Sequence, residues 1–336
     1  MQSYQIGGNE AGQRLDKFLH KFMPTAGSGF LYKMLRKKHI LLNNKKAEGK
    51  EILAVGDNLS FFFSKETFYH FTGRQDIDSI EGTAIPEDTM YQNAYKQLKN
   101  ISVIYEDENI LVLNKPAGIL TQKADNKQAS LNEWMIGYLL ANKKITRKTL
   151  LTFKPSVQNR LDRNTSGLVL CGISLPGSQL LSRLIHDRNI GKYYITVVKG
   201  RINHAGEISG FLKKNEKTNQ ASITKDEGSA IRTAYKPLSY GKDYTCLEVE
   251  LITGKTHQIR AHMASIGHPI LGDCKYGEHA WNIHYHKKQQ LLHAARVEFP
   301  YLAPPFSELS SRIFEAPLPL AFEEVLANGN MEHKGT

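Results

Sequence analysis

The chain has 336 residues, 40% of them hydrophobic and 23% charged, with a formal net charge of +11. That length accommodates two domains, and no run approaches the roughly 18 apolar residues of a membrane-spanning helix. Three widely spaced cysteines (Cys171, Cys246, Cys274) exclude a disulfide framework. The first residues, MQSYQIGGNE, lack the basic and apolar regions of a signal peptide, so a cytoplasmic protein with no membrane partner is expected.

The positive charge is uneven. Residues 1–65 hold eleven Lys/Arg against five Asp/Glu, whereas residues 66–100 hold three against six. A concentrated basic region favours a polyanionic partner. Within it, "GQRLDKFLHKF" (12–22) spaces Leu15, Phe18, Leu19 and Phe22 for one face of a short helix. "GFLYKMLRKKHI" (29–40) gives a second helix, with Phe30, Leu31, Met34 and Leu35 inward and Lys33, Arg36 and Lys37 outward. "ILLNNKKA" then reads as strand, turn and strand, and "GDNLSFFF" (56–63) as a turn and a closing strand.

Residues 66–100 are acidic and short of apolar periodicity, which predicts a linker with one helical turn near Tyr91–Leu98. Order resumes at 101–118 as two β-rich runs around a polar turn at Asp107–Asn109. A helix fits 130–141 and another 177–187; strands fit 167–174, 193–199 and 244–252. Without regular βαβ alternation, this pattern predicts an α+β domain with a mixed or antiparallel sheet.

Three local patterns fail as motifs. "TGKTHQ" (253–258) suggests a phosphate loop, but Val249 stands where that loop requires its first glycine. Cys274, His279, His284 and His286 match no common zinc spacing, so no metal is expected. Ser166 is not in the elbow of a serine hydrolase, and nothing marks His257 as its base.

What remains is "RLDRNTSGLVL" (160–170), "GKYYITVVKG" (191–200) and "LITGKTHQIRAHMASIGHPILGD" (251–273), with "VLNKPAGI" (112–119) and "LLHAARVEF" (291–299). Together, in order, they resemble the RluA-type family of pseudouridine synthases. The first 65 residues separately resemble the alpha-L RNA-binding module of certain ribosomal proteins. The resemblance implies an α+β protein: an alpha-L domain at 1–65, an acidic linker at 66–100, a catalytic domain with a mixed, mainly antiparallel sheet at 101–330, and a tail at 331–336.

It also implies an isomerase that detaches uracil from ribose, turns it and rejoins it through carbon, with no cofactor. Asp162 then maps to the nucleophile or electrostatic stabiliser, and Arg260 to the cation that keeps it ionised. Tyr194, rather than Tyr193 on the opposite strand face, maps to the ring that stacks on uracil, its hydroxyl assisting proton removal. A uridine in folded RNA must swing out to be reached, leaving Arg160 to fill the space, with Arg163 on phosphate or solvent. Arg36, Lys37, Lys38, Lys45 and Lys46 fall where the alpha-L module meets RNA. The implied partner is large-subunit ribosomal RNA, approached as a monomer, with transfer RNA or a non-catalytic ribosome-assembly role as alternatives. Asn159 and Gln122 stand where the family usually carries histidines, and Lys255 where it carries arginine.

Overall fold

The computed structural model describes residues 1–72, 86–123, 128–215, 220–224 and 226–327. The chain opens with β1 (Gln2–Gln5), α1 (Leu15–Phe22), α2 (Ser28–Arg36), β2 (Ile40–Leu42), β3 (Lys45–Lys46) and β4 (Asn58–Phe61), the strands ordered β1-β4-β2-β3. Leu15, Phe18, Leu19 and Phe22 of α1 are fully buried, as their spacing requires. The β2–β3 turn is made by Asn43 and Asn44, both at positive φ, a conformation asparagine tolerates better than most residues.

The expected linker at 66–100 needs correction. Helix α3 (Lys65–Thr72) buries Phe68 against Phe22 and Phe61 and sets Phe71 against Phe30, so it completes the N-terminal core. Helix α4 (Pro86–Gln97) buries Tyr91 and Ala94 in the core of the following unit. Each helix contributes only a few apolar side chains among exposed polar ones, such as Glu66 and His70 in α3 and Gln92 and Asn93 in α4, which is why the pattern reads as featureless. Residues 73–85 lie outside the described residues, as does the expected tail.

The larger unit runs β5 (Ser102–Glu106), β6 (Ile110–Lys115), α5 (Leu131–Ala141), α6 (Arg147–Thr152), β7 (Ser156–Val157), β8 (Ser166–Gly172), α7 (Leu175–His186) and β9 (Gly191–Lys199). It continues with β10 (Gly206–Asn215), β11 (Gln220–Thr224), β12 (Ser229–Tyr240), β13 (Tyr244–Glu250), α8 (Gln258–Ser265), α9 (His279–His284), β14 (Leu292–Glu298), β15 (Ile313–Glu315) and α10 (Leu320–Ala327). The main sheet has the order β11-β10-β12-β13-β9-β14-β8-β6-β5 and is antiparallel except for β14 beside β8. This is the mixed, mainly antiparallel sheet of an α+β protein. Gly137 of α5 lets α4 lie directly on it, because a Cβ there would fall 2.3 Å from the Tyr91 carbonyl oxygen.

One irregularity positions the site. β8 pairs with β6 from Gly167 to Gly172, but with β14 only at Ser166↔His293 and Gly167↔Ala294. Gly167 has φ +110°, and a Cβ would lie 2.2 Å from the Ala294 carbonyl oxygen, so glycine is required at this junction. Beyond it the strands part, and β7 occupies the freed edge of β8 at Ser156↔Gly172 and Val157↔Cys171. Gln158 N donates to Leu170 O at 2.7 Å. The Asn159 side chain then continues the ladder, accepting from Leu170 N at 2.7 Å and donating to Leu168 O at 3.2 Å. The segment 160–165 is thereby delivered into the fork between β8 and β14.

Candidate active site

Asp162 lies in that fork. Its backbone carbonyl accepts from Thr165 N at 3.0 Å, closing a tight turn, and Leu161 beside it is buried and bonded through both N and O to Thr121 Oγ1. The carboxylate is held by one oxygen: Oδ2 accepts from Arg260 Nη1 at 2.7 Å. Oδ1 has no hydrogen-bond partner among the described residues, and the side chain is 21% exposed. Neither flanking arginine pairs with Asp162. Arg160 is exposed, and Arg163 donates through Nε to Gly118 O at 3.1 Å.

Arg260 is on the first turn of α8, above buried Ile259 and Met263. Its remaining face is taken by Asp273, fully buried, which accepts from Nε at 2.7 Å and from Nη2 at 2.8 Å. Burial pushes Asp273 up, but Arg260 and the amides of Lys275 and Tyr276 outweigh it and hold the carboxyl below its usual range. Burial likewise pulls Arg260 down, and its two carboxylate partners more than reverse this. The ion pair is therefore permanent at any working pH.

Tyr194 is buried on the Asp162 face of β9, and burial, with a smaller push from Asp162, holds its phenol above the ordinary value. Tyr193 points the other way, under the Arg296 guanidinium at 4.1 Å from its ring. Strand alternation thus brings one tyrosine to the carboxylate and takes the other away.

Three further residues, not singled out as site members from the sequence, join this group. His257 Nε2 lies 3.7 Å from Asp162 Oδ2, and its Nδ1 lies 3.1 Å from the Tyr276 hydroxyl, which itself accepts from Ala221 N at 2.6 Å. Burial holds His257 below its ordinary value, against the pull of Asp162. Tyr276 also lies beneath Arg260, 5.1 Å from guanidinium to ring centroid. Lys115 is fully buried, its Nζ donating to the carbonyls of Pro116, Ile119 and Arg163 at 3.0, 2.9 and 3.1 Å. Burial pulls its ammonium down to about 7, opposed by Asp162. Three carbonyl acceptors call for three N–H donors, which only the charged form has. The signals were present in "NKPAG", "KTHQIR" and "GDCKY", but each is a single polar residue whose partner is remote in sequence.

Ser166 and His293 account for the hydrolase-like residues differently. Ser166 Oγ is 2.8 Å from His293 Nδ1, and Nε2 of that ring faces Ala316 O at 3.3 Å, all buried beneath the fork and away from His257. Gln122 is exposed, and Lys255 is exposed with its backbone N donating to Gln258 Oε1 at 3.1 Å. On the N-terminal unit, Arg36, Lys37, Lys38, Lys45 and Lys46 are all exposed around the end of α2 and the β2–β3 turn. A shallow groove of about 390 Å³ there is lined by Tyr32, Lys33, Arg36 and Lys46 among others. No helix is long and apolar enough to cross a membrane among the described residues.

Comparison with known proteins matches this architecture. The family described as RNA pseudouridylate synthase matches residues 109–265. A protein of Rickettsia bellii named ribosomal large subunit pseudouridine synthase C is 30% identical over 322 residues, covering 93% of this chain and 96% of that protein. One from Mycoplasma genitalium, described as an uncharacterized RNA pseudouridine synthase, is 29% identical over 86% of each chain. Among solved structures, human RNA pseudouridylate synthase domain containing 4 shares the fold, with a TM-score of 0.54 and 17% identity over 74% of this chain and 98% of that one. Fold and relatives together define an isomerase acting on RNA. The chain belongs to the RluA-type family of RNA pseudouridine synthases.

Proposed function

We propose that this enzyme converts specific uridines of large-subunit ribosomal RNA to pseudouridine, using Asp162 against the ribose. The observation that carries the assignment is the asymmetry of that carboxylate: Oδ2 is fixed by Arg260, while Oδ1 has no hydrogen-bond partner among the described residues and the side chain is partly exposed. A carboxylate oxygen left free in this way supports the charge that grows at C1′ as the N1–C1′ bond breaks. The freed base turns, C5 bonds to C1′, and the C5 proton is lost while N1 gains one, so atoms and electrons balance without a cofactor. Tyr194 stays a phenol at neutral pH, which suits it to stack on uracil and donate a hydrogen bond. The Asp162 carboxylate, with Oδ1 unbonded, takes the C5 proton once the new bond has formed.

Arg260 holds the Asp162 carboxylate in place through Oδ2, and His257 Nε2 lies 3.7 Å from the same oxygen. Arg160, exposed beside Asp162, fills the gap left by the extruded nucleotide. The exposed cluster Arg36, Lys37, Lys38, Lys45 and Lys46 on an alpha-L-like domain grips the RNA backbone, which positions the enzyme without reading sequence. The ribosomal assignment is supported by the names of relatives such as the Rickettsia bellii protein. Mapping pseudouridine in total RNA from cells with the gene, without it, and with Asp162→Asn tests it. Ribosomal sites lost in both deficient strains are expected. Loss confined to transfer RNA would replace the substrate, and unchanged maps would leave a binding role alone.

A further inference from the structure

Lys192 is a buried cation without a counterion. It is 8% exposed, yet among the described residues its ammonium has neither a carboxylate nor a hydrogen-bond acceptor. Burial, and Arg188 nearby, both disfavour its charge, and no acidic group works the other way. A lysine side chain buried to this extent is normally paired with an acid or an acceptor.

Its position says what completes it. Lys192 and Tyr194 are two residues apart on β9 and share the face that looks toward Asp162, about 6.6 Å from one Cα to the next on that face. Lys192 pairs with Val297 of β14, beyond the junction where β8 parts from β14, so it lies along the opened fork. The ammonium ends beneath Gly254, where a Cβ would meet nothing within 4 Å except Lys192 Nζ at 3.9 Å. Gly254 is exposed and outside the left-handed region, so neither backbone conformation nor packing calls for glycine there. What its bare Cα leaves open is the approach to the ammonium. Lys255 and Arg188, both exposed, stand at the rim.

We propose that Lys192, reached past Gly254 and flanked by Arg188 and Lys255, is a phosphate subsite that holds the RNA backbone beside the target uridine. The subsite rests on reading the fork as the seat of RNA. It gives the rejected "TGKT" stretch a role: an open wall over a lysine supplied by another strand, unlike the self-contained cradle of a nucleotide-binding loop. The anion supplies the missing counterion, so substrate binding and relief of the buried charge are one event.

The test compares wild type, Lys192→Met and Lys192→Arg in binding a single-stranded oligouridylate over a potassium chloride series. Methionine should weaken binding roughly ten-fold, the loss of one hydrogen bond to a charged group. It should also lower the slope of log affinity against log salt by about 0.7, one phosphate contact on a single strand. Arginine should restore both, and an oligouridylate with a neutral methylphosphonate backbone should erase the difference between variants. Without RNA, Lys192→Met should melt at or above the wild-type temperature, because an unpaired charge leaves the interior. Equal affinities and slopes, or a methionine variant that is less stable with unchanged affinity, would overturn the subsite and point to an internal partner. Oligouridylate carries phosphates but no ribosomal sequence, so this result stands apart from which RNA is the natural substrate.

Discussion

Asp162 and Asp273 hold the same guanidinium from two sides, Asp162 through Arg260 Nη1 and Asp273 through Nε and Nη2. Their environments assign them different work. Asp273 is fully buried and bonded through both oxygens, whereas Asp162 is partly open and bonded through one.

Replacing each acid by its amide should therefore separate stability from chemistry. Asp273→Asn breaks a buried pair and should destabilise the fold by about 3 kcal/mol. Asp162→Asn should shift stability by less than about 1 kcal/mol, while abolishing pseudouridine formation. Urea denaturation and tritium release from C5-labelled RNA measure the two. A stable but inactive Asp273→Asn would reverse their ranking.

The tyrosines make a second pair. Tyr194→Phe keeps a ring against the base but removes the hydrogen bond that the hydroxyl donates, so turnover should fall by roughly 100-fold with little change in RNA affinity. Tyr193→Phe should stay within about two-fold of wild type, since the ring still carries Arg296. Single-turnover rates at saturating RNA check both, and equal losses would place the wrong tyrosine in the cleft.

Stability should fall on the acid side for a reason unconnected with the carboxylates. Burial holds both His262 and His293 down to about 4. An unfolded histidine takes its proton near 6.5, so between pH 6.5 and 4 the unfolded chain binds protons that the folded chain refuses. Stability is full above 6.5 and is lost as pH falls through that window, by a few kcal/mol in total. Melting temperatures from pH 7.5 to 4.5 should show the decline. His293→Gln, which keeps a donor and an acceptor, should flatten it.

For the basic cluster, charge removal is a cleaner probe than deletion. Cutting after residue 65 would strip Phe68 of its core, and would also break the contact of Glu10 with Thr152 in α6. Changing Arg36, Lys37, Lys38, Lys45 and Lys46 to glutamine leaves these intact. If three to five of them touch phosphate, the salt slope should fall by roughly 2 to 4. Parallel salt plots would confine RNA to the larger unit.

What the sequence discloses, and what it withholds, follows from range. Leu15 and Phe22 reveal α1 because a helix repeats within four residues, and the choice between Tyr193 and Tyr194 needs only the two-residue period of a strand. Asp162 and Arg260 are 98 positions apart, yet each stands within a dense local pattern that the family resemblance brings together. Lys192 and Asp273 stand within the same patterns, and Tyr276 just past one, but their meaning comes from what meets them in space. Phe68, Tyr91 and Ala94 fail for a related reason, being scattered apolar contacts in helices whose other described side chains are mostly exposed. The hairpin strands β10, β11 and β12 went unread as well. Their alternation of polar and apolar residues is weak because inward positions are filled by small or polar side chains such as Ala221, Thr233 and Ser239.

The junction at Gly167 also sets a timetable. The strand that closes it, β14, begins at Leu292, and the Ser166–His293 contact spans 127 residues of chain. Contacts so distant in sequence form late, after the local helices and hairpins are in place. During synthesis, everything up to α8 can emerge while the seam beside Asp162 still lacks its second edge. A nascent chain therefore carries every side chain of its chemistry before it has the sheet that aims them, and it becomes an enzyme only as its last strands leave the ribosome.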